Sequence, residues 1–198
     1  MRLAASLPFK KNFLSSSVAP EGEEKMFRRK KIVEKISQEE KENLLNNYLP
    51  FLSSGRFVDV ATCNRERMPN VAQKLIAKTE KNILYLIDYV IGTTYANLKE
   101  NPRVSLSFID NRTLTGYQLN GTATIMERGE EFERLSEEFQ QIKTEFTVER
   151  ILYNIRTGEK ASPSEFSLPE KFAILKINVI EIVEISSSGG LTSKVALE

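Results

Sequence analysis

Between residues 57 and 126 apolar and polar residues alternate in runs, and each run ends in a polar turn. Alternation with a period of two marks a strand that buries one face. The pattern predicts strands at Phe57–Cys63, Asn70–Lys78, Ile83–Asp88, Val104–Ile109 and Thr115–Met126. Phe172–Ile185 reads as a sixth, long apolar strand able to close a barrel. Ile83–Asp88 is apolar on both faces, as in a strand covered on two sides. In Thr115–Met126, Tyr117, Leu119, Ala123 and Ile125 share one side and Gln118, Asn120, Thr122 and Thr124 the other. Gly121 within that run predicts a bulge or a close backbone approach.

Between the strands the period changes. Ser37 and Glu40 form a capping box for a helix that places Leu44, Leu45, Tyr48, Leu49 and Leu52 on one stripe, with Gly55 past its end. Thr93 and Thr94 suit the N-cap of a short helix that Asn101-Pro102 stops. Gly129–Lys143 and Val148–Ile155 read as two further helices, the second ended by Gly158, and Pro163–Pro169 as a loop. Residues 1–36 are expected to be a flexible basic arm, residues 37–186 the folded domain and residues 187–198 a loose tail. Six strands joined by short helices exclude a doubly wound parallel sheet. They predict a mainly β fold, an antiparallel β-barrel with flanking helices.

The chain of 198 residues has no histidine. That removes Ser-His-Asp and Cys-His catalysis and histidine metal or haem ligation. An enzyme made from it needs carboxylate, Lys or Tyr chemistry, or a cofactor. Cys63 is the one cysteine, so no intrachain disulfide forms; it reads as a small apolar filler, and a reducing, cytoplasmic setting is expected. No apolar run is long enough for a membrane span. Nine Lys/Arg against four Glu give residues 1–36 a charge of +5, leaving −4 for the rest of a chain whose net charge is +1. The acidic remainder favours a solvated or partner-draped arm over nucleic-acid binding. Glu130-Glu131 and Glu137-Glu138 read as the solvated face of an amphipathic helix.

Two stretches carry candidate chemistry. Period-2 geometry puts Lys74 and Lys78 on one face of their strand, as phosphate partners or as a solvated edge. Gly92-Thr93-Thr94 offers a helix N-terminus with two hydroxyls, which suits a phosphate, although local physics alone favours a plain capped helix.

The stretch Thr94, Asn97, Leu98 and Asn101-Pro102-Arg103-Val104 resembles the cofactor loop of the pyridoxamine-phosphate-oxidase-like, FMN-binding split β-barrel family. Gly121-Thr122-Ala123 resembles the family's strand end, and Pro69-Asn70-Val71 its hairpin, with Arg67 replacing the usual glycine. The resemblance spans roughly residues 55–127. It implies a six-stranded antiparallel split barrel, bound FMN, a homodimer with the flavin at its interface, and flavin-dependent oxidoreductase chemistry on an unknown small-molecule substrate. A deazaflavin (F420) reductase of the same fold, or a non-catalytic binding module, are the alternatives. The cofactor-binding residues it implies are Gln73, Lys74, Lys78, Asp88, Thr93, Thr94, Asn97 and Gln118. Gln73 stands where the oxidase branch has a phosphate-binding arginine, and Thr93-Thr94 where it has an Arg-Lys pair. That departure argues against a pyridoxamine-phosphate substrate. The resemblance further implies that Asp88 lies near the flavin ring, where a plain strand-end turn residue is the alternative, that Asn97 ties down the loop, and that Gln118 faces the isoalloxazine edge. No catalytic residue is indicated.

Overall fold

The computed structural model describes residues 31–53, 57–158 and 171–196. Their elements are β1 (Ile32–Ile36), α1 (Gln38–Glu42), β2 (Phe57–Cys63), β3 (Pro69–Glu80), β4 (Ile83–Asp88), α2 (Thr93–Glu100), β5 (Arg103–Asp110), β6 (Thr115–Met126), α3 (Glu130–Thr157), β7 (Ala173–Ile185) and β8 (Leu191–Ala196). A 3-10 turn lies at Asn46–Tyr48. The strand order β7-β4-β3-β2-β5-β6 returns to β7, so six antiparallel strands close a barrel. β7 pairs with β4 from Ala173 to Asn178 and with β8 from Glu181 to Ile185. Near Asn178 the sheet therefore splits, and β8, with β1 parallel beside it, forms a flap.

The alternation read in the sequence supplies the inner face. Val58, Val60, Ile76, Leu84, Leu86, Val104, Leu106, Leu119, Leu175 and Ile177 fill the barrel. Leu44, Leu45, Tyr48 and Leu52 plug one end, where Phe51, Phe108 and Tyr117 stack. Leu98 of α2 closes the other end. At Gly121 a Cβ would collide with the Asn178 carbonyl oxygen, and the β6–β7 register shifts at that point, leaving Ile180 as the extra residue. No other residue type fits so close an approach without displacing the backbone.

Several expectations change. The capping box forms, with the Ser37 N–H and hydroxyl donating to Glu40 at 2.8 and 2.9 Å. The helix it opens, however, ends at Glu42, and Leu49 is exposed while Leu44, Leu45, Tyr48 and Leu52 are buried. The helices expected at 129–143 and 148–155 are one 28-residue helix, α3, closed at Gly158 with φ 72°. Thr144 and Thr147 sit at the expected break inside the continuous helix, where each donates its hydroxyl to the carbonyl four residues back and so competes little with the helix backbone. Ile32–Ile36, read as arm, and Leu191–Ala196, read as loose tail, are paired strands. The Ser/Gly-rich stretch between β7 and β8 is a tight turn, in which the Ser186 N–H donates to the Gly190 carbonyl. The arm over residues 1–30, the Gly55 stop and the Pro163–Pro169 loop lie outside the described residues.

The doubly apolar β4 is covered on both faces by its own chain. Its inner face fills the barrel, and its outer face, Tyr85 and Ile87, packs under Leu135, Phe139 and Ile142 of α3. The second cover comes from the same chain and not from a partner subunit. Of the four glutamates read as a solvated face, Glu130 and Glu137 are exposed, but Glu131 and Glu138 are partly buried and paired. Glu131 accepts from the Tyr85 hydroxyl and from Lys176, and Glu138 accepts from Lys78.

Candidate functional site

Strand register sorts the eight residues named from the sequence into separate places. Lys74 and Asp88 stand on the inner face at the α2 end of the barrel, joined by an ion pair of 2.6 Å. Their side chains are 4% and 0% exposed. The second Asp88 carboxylate oxygen is buried with no hydrogen-bond partner among the described residues. At the same end, the Asn70 amide donates to the Thr94 hydroxyl at 3.0 Å, and the Asn97 amide donates to the Thr62 hydroxyl at 3.1 Å. Thr94 and Asn97 are buried. They seat α2 on the barrel.

Thr93 is exposed at the start of α2. Gly92 is the N-cap, and no side chain caps the helix, so neither threonine serves as the cap. The first-turn N–H groups have no acceptor within the helix. The lysines do not share a face. The β3–β4 register shifts between Ile76 and Lys78, and this turns Lys78 outward, toward Glu138 of α3 at 3.1 Å. Two-residue periodicity cannot foresee such a bulge.

Gln73 and Gln118 lie on the outer barrel face. Register places Gln73 opposite Asp59, Asp59 opposite Ser107, and Ser107 opposite Gln118. Four strands thus carry one polar row, which no local sequence window displays. Beside it, a groove of about 240 Å³ is lined by Phe51, Phe57, Asp59, Gln73, Ser107, Phe108 and Ile109. Phe57, Val71 and Ile109 are 49%, 66% and 55% exposed around the row, so the face is partly apolar and, apart from Phe146 of α3 beside Phe57, largely uncovered by described residues.

The adjacent row holds residues that the sequence did not single out. Asn120 donates to a Glu181 carboxylate oxygen at 2.6 Å. Its own carbonyl oxygen accepts from Ser105 at 2.8 Å and from Gln118 at 2.9 Å. Glu181 also accepts from Lys31 at 2.7 Å and from the Ser193 hydroxyl at 2.5 Å. Burial alone would raise the Glu181 pKa, but hydrogen bonds from Lys31, Ser193 and Asn120 outweigh it and lower the value to about 2. Glu181 lies in an apolar run, and the β7 pairing that makes it central is not a local sequence signal.

No helix among the described residues is long and apolar enough to cross a membrane, and none of their Cys, Asp and Glu groups cluster as metal ligands.

A sequence model of the pyridoxamine 5'-phosphate oxidase family matches residues 44–182. An uncharacterised protein of Methanocaldococcus jannaschii is 30% identical over 114 residues, 52% of this chain and 76% of its own. A solved structure from Clostridium acetobutylicum, of a protein related to general stress protein 26 in the pyridoxinephosphate oxidase family, aligns with a TM-score of 0.51. Its identity is 18%, over 80% of this chain and 95% of its own. A heme binding protein from Mycobacterium smegmatis aligns with a TM-score of 0.50 and 14% identity, over 81% of this chain and 58% of its own. The matched residues run from the plug at one barrel end through the closing strand β7, and the chain belongs to the pyridoxamine 5'-phosphate oxidase family.

Proposed function

We propose that the protein is an FMN-binding flavoprotein that acts as a homodimer, with the flavin ring on the outer face of β3, β2, β5 and β6. The observation that carries this reading is the uncovered face itself. A polar row, Gln73–Asp59–Ser107–Gln118, lies between the exposed apolar side chains Phe57, Val71 and Ile109. A planar ring with apolar faces and a polar edge suits such a surface, and a second copy of the chain would cover the apolar residues that remain.

The residues present fit the ring better than the phosphate. Gln73, Ser107 and Gln118 offer amide and hydroxyl groups, and Phe57, Phe108 and Ile109 line the groove. For the phosphate, the exposed Thr93 hydroxyl and the α2 N-terminus are the donors. Lys74 and Lys78 are already paired with Asp88 and Glu138. FMN, when bound, supplies the hydride or electron transfer, and the protein supplies position and electrostatics. Oxidoreductase activity on a small-molecule substrate follows from that reading, and the single cysteine accords with a reducing compartment such as the cytoplasm. Mass spectrometry of the small molecule that co-purifies tests it. FMN bound in stoichiometric amount is expected. A colourless protein that takes up no added FMN would make it a binding module without flavin.

A further inference from the structure

Resting on the flavin reading, the inference concerns the direction in which Gln118 presents its amide. A carboxylate accepts hydrogen bonds and, while ionised, donates none. Glu181 therefore requires Asn120 to turn its NH₂ group toward it, at 2.6 Å. That leaves the Asn120 carbonyl oxygen facing the opposite way, where it accepts from Ser105 and from Gln118. Gln118 must then direct its own NH₂ group at Asn120. Its carbonyl oxygen, which accepts from no described residue, is left for the outer face. One anion thus sets the polarity of two amides in succession. Lys31 and Ser193 hold the anion in place from the flap side.

We propose that Glu181 is a positioning residue which, through Asn120, fixes Gln118 as a hydrogen-bond acceptor, so that the outer face selects a planar heteroaromatic ring presenting an N–H donor at its edge. Oxidised isoalloxazine has one ring N–H, at N3, and that group would donate its hydrogen bond to the Gln118 carbonyl oxygen. A ring edge with only acceptors would meet the Gln118 oxygen as a like partner and be disfavoured.

The test is hydrogen exchange at N3 of ¹⁵N-labelled FMN, followed by NMR on the full-length protein. In the native protein the N3 proton is expected to be protected. Gln118→Leu should lower the protection roughly tenfold, the value of one neutral hydrogen bond. Glu181→Gln, which lets residue 181 donate or accept, should lower it several-fold while FMN stays bound. Adding Asn120→Asp to Glu181→Gln should restore protection, because a carboxylate at position 120 can only accept and again forces Gln118 to donate to it. A purely structural role for Glu181 predicts no such rescue. Bound FMN with a freely exchanging N3 proton in the native protein overturns this inference and leaves the flavin reading standing. Unchanged protection in Gln118→Leu or in Glu181→Gln, or no rescue in the double variant, also overturns it. Failure to bind FMN at all overturns the flavin reading and this inference with it. Where Glu181→Gln alone does not fold, the double variant carries the test of Glu181, while Gln118→Leu, whose side chain is only part-buried, tests the acceptor itself.

Discussion

Replacing Lys74 with methionine tests whether that lysine holds the fold or a ligand. Its ammonium is 2.6 Å from Asp88, and the two side chains are 4% and 0% exposed. Among the described residues Lys74 is the one donor to the Asp88 carboxylate. Lys74→Met leaves that carboxylate buried without a counter-ion, and Asp88→Leu leaves the ammonium likewise. Removing one member of a buried pair costs about 3–5 kcal/mol, whereas replacing both with apolar groups of similar size is nearly neutral. Each single variant should lose about 3–5 kcal/mol and the double variant much less, giving a coupling of at least about 3 kcal/mol. In melting temperature each single loss corresponds to a drop of roughly 6–20 °C for a domain of this size. Urea unfolding of all four proteins measures it. Single losses below about 1 kcal/mol, or losses that simply add in the double variant, would show that the pair does not hold the barrel end. A ligand role makes a different prediction, a loss of affinity for FMN but not for riboflavin. With the lysine locked to Asp88, we expect the two ligands to be affected alike.

Four further outcomes follow from the geometry. Thr94→Val removes a hydroxyl that accepts from Asn70, so it should cost about 1–2 kcal/mol of stability in urea unfolding. Thr93→Val should leave stability unchanged and weaken FMN ten- to a hundredfold relative to riboflavin, the value of one charge-assisted bond, in a fluorescence-quenching titration. The Glu181 carboxyl is held below its ordinary 4.5, at about 2, so its contribution is complete above pH 4.5 and is lost as pH falls toward 2. That contribution is on the order of 3 kcal/mol, and Glu181→Gln should flatten the acid limb of a pH–stability curve over that window. Gly121→Ala drives a Cβ into the Asn178 carbonyl and should break the β6–β7 closure, detected as lost amide protection in both strands.

The barrel strands were legible because each buries one face, so alternation marked them. β2, β4 and β6 lie where the pattern put them. The flap was not legible. Ser186–Gly190 looks like the start of a tail, and only pairing with Glu181–Ile185 makes Leu191–Ala196 a strand. Lys78 was misplaced because the bulge before it inverts the side-chain alternation. The site was harder still. Gln73 and Gln118 were named from the resemblance, but the row that joins them runs through Asp59 and Ser107, on strands far apart in sequence. Glu181 depends on a fifth strand and on Lys31, and long-range register of that kind leaves no local trace.

Sedimentation velocity of the FMN-loaded protein, followed at the flavin absorption band, tests most directly the claim that the exposed face holds a flavin between two copies. The flavin signal is expected to sediment with a particle of twice the 22.6 kDa chain mass, and Val71→Glu, on the uncovered face, should shift the particle toward monomer and release flavin. A flavin-loaded monomer at micromolar concentration, or a Val71→Glu protein that keeps both its dimer and its flavin, would contradict it.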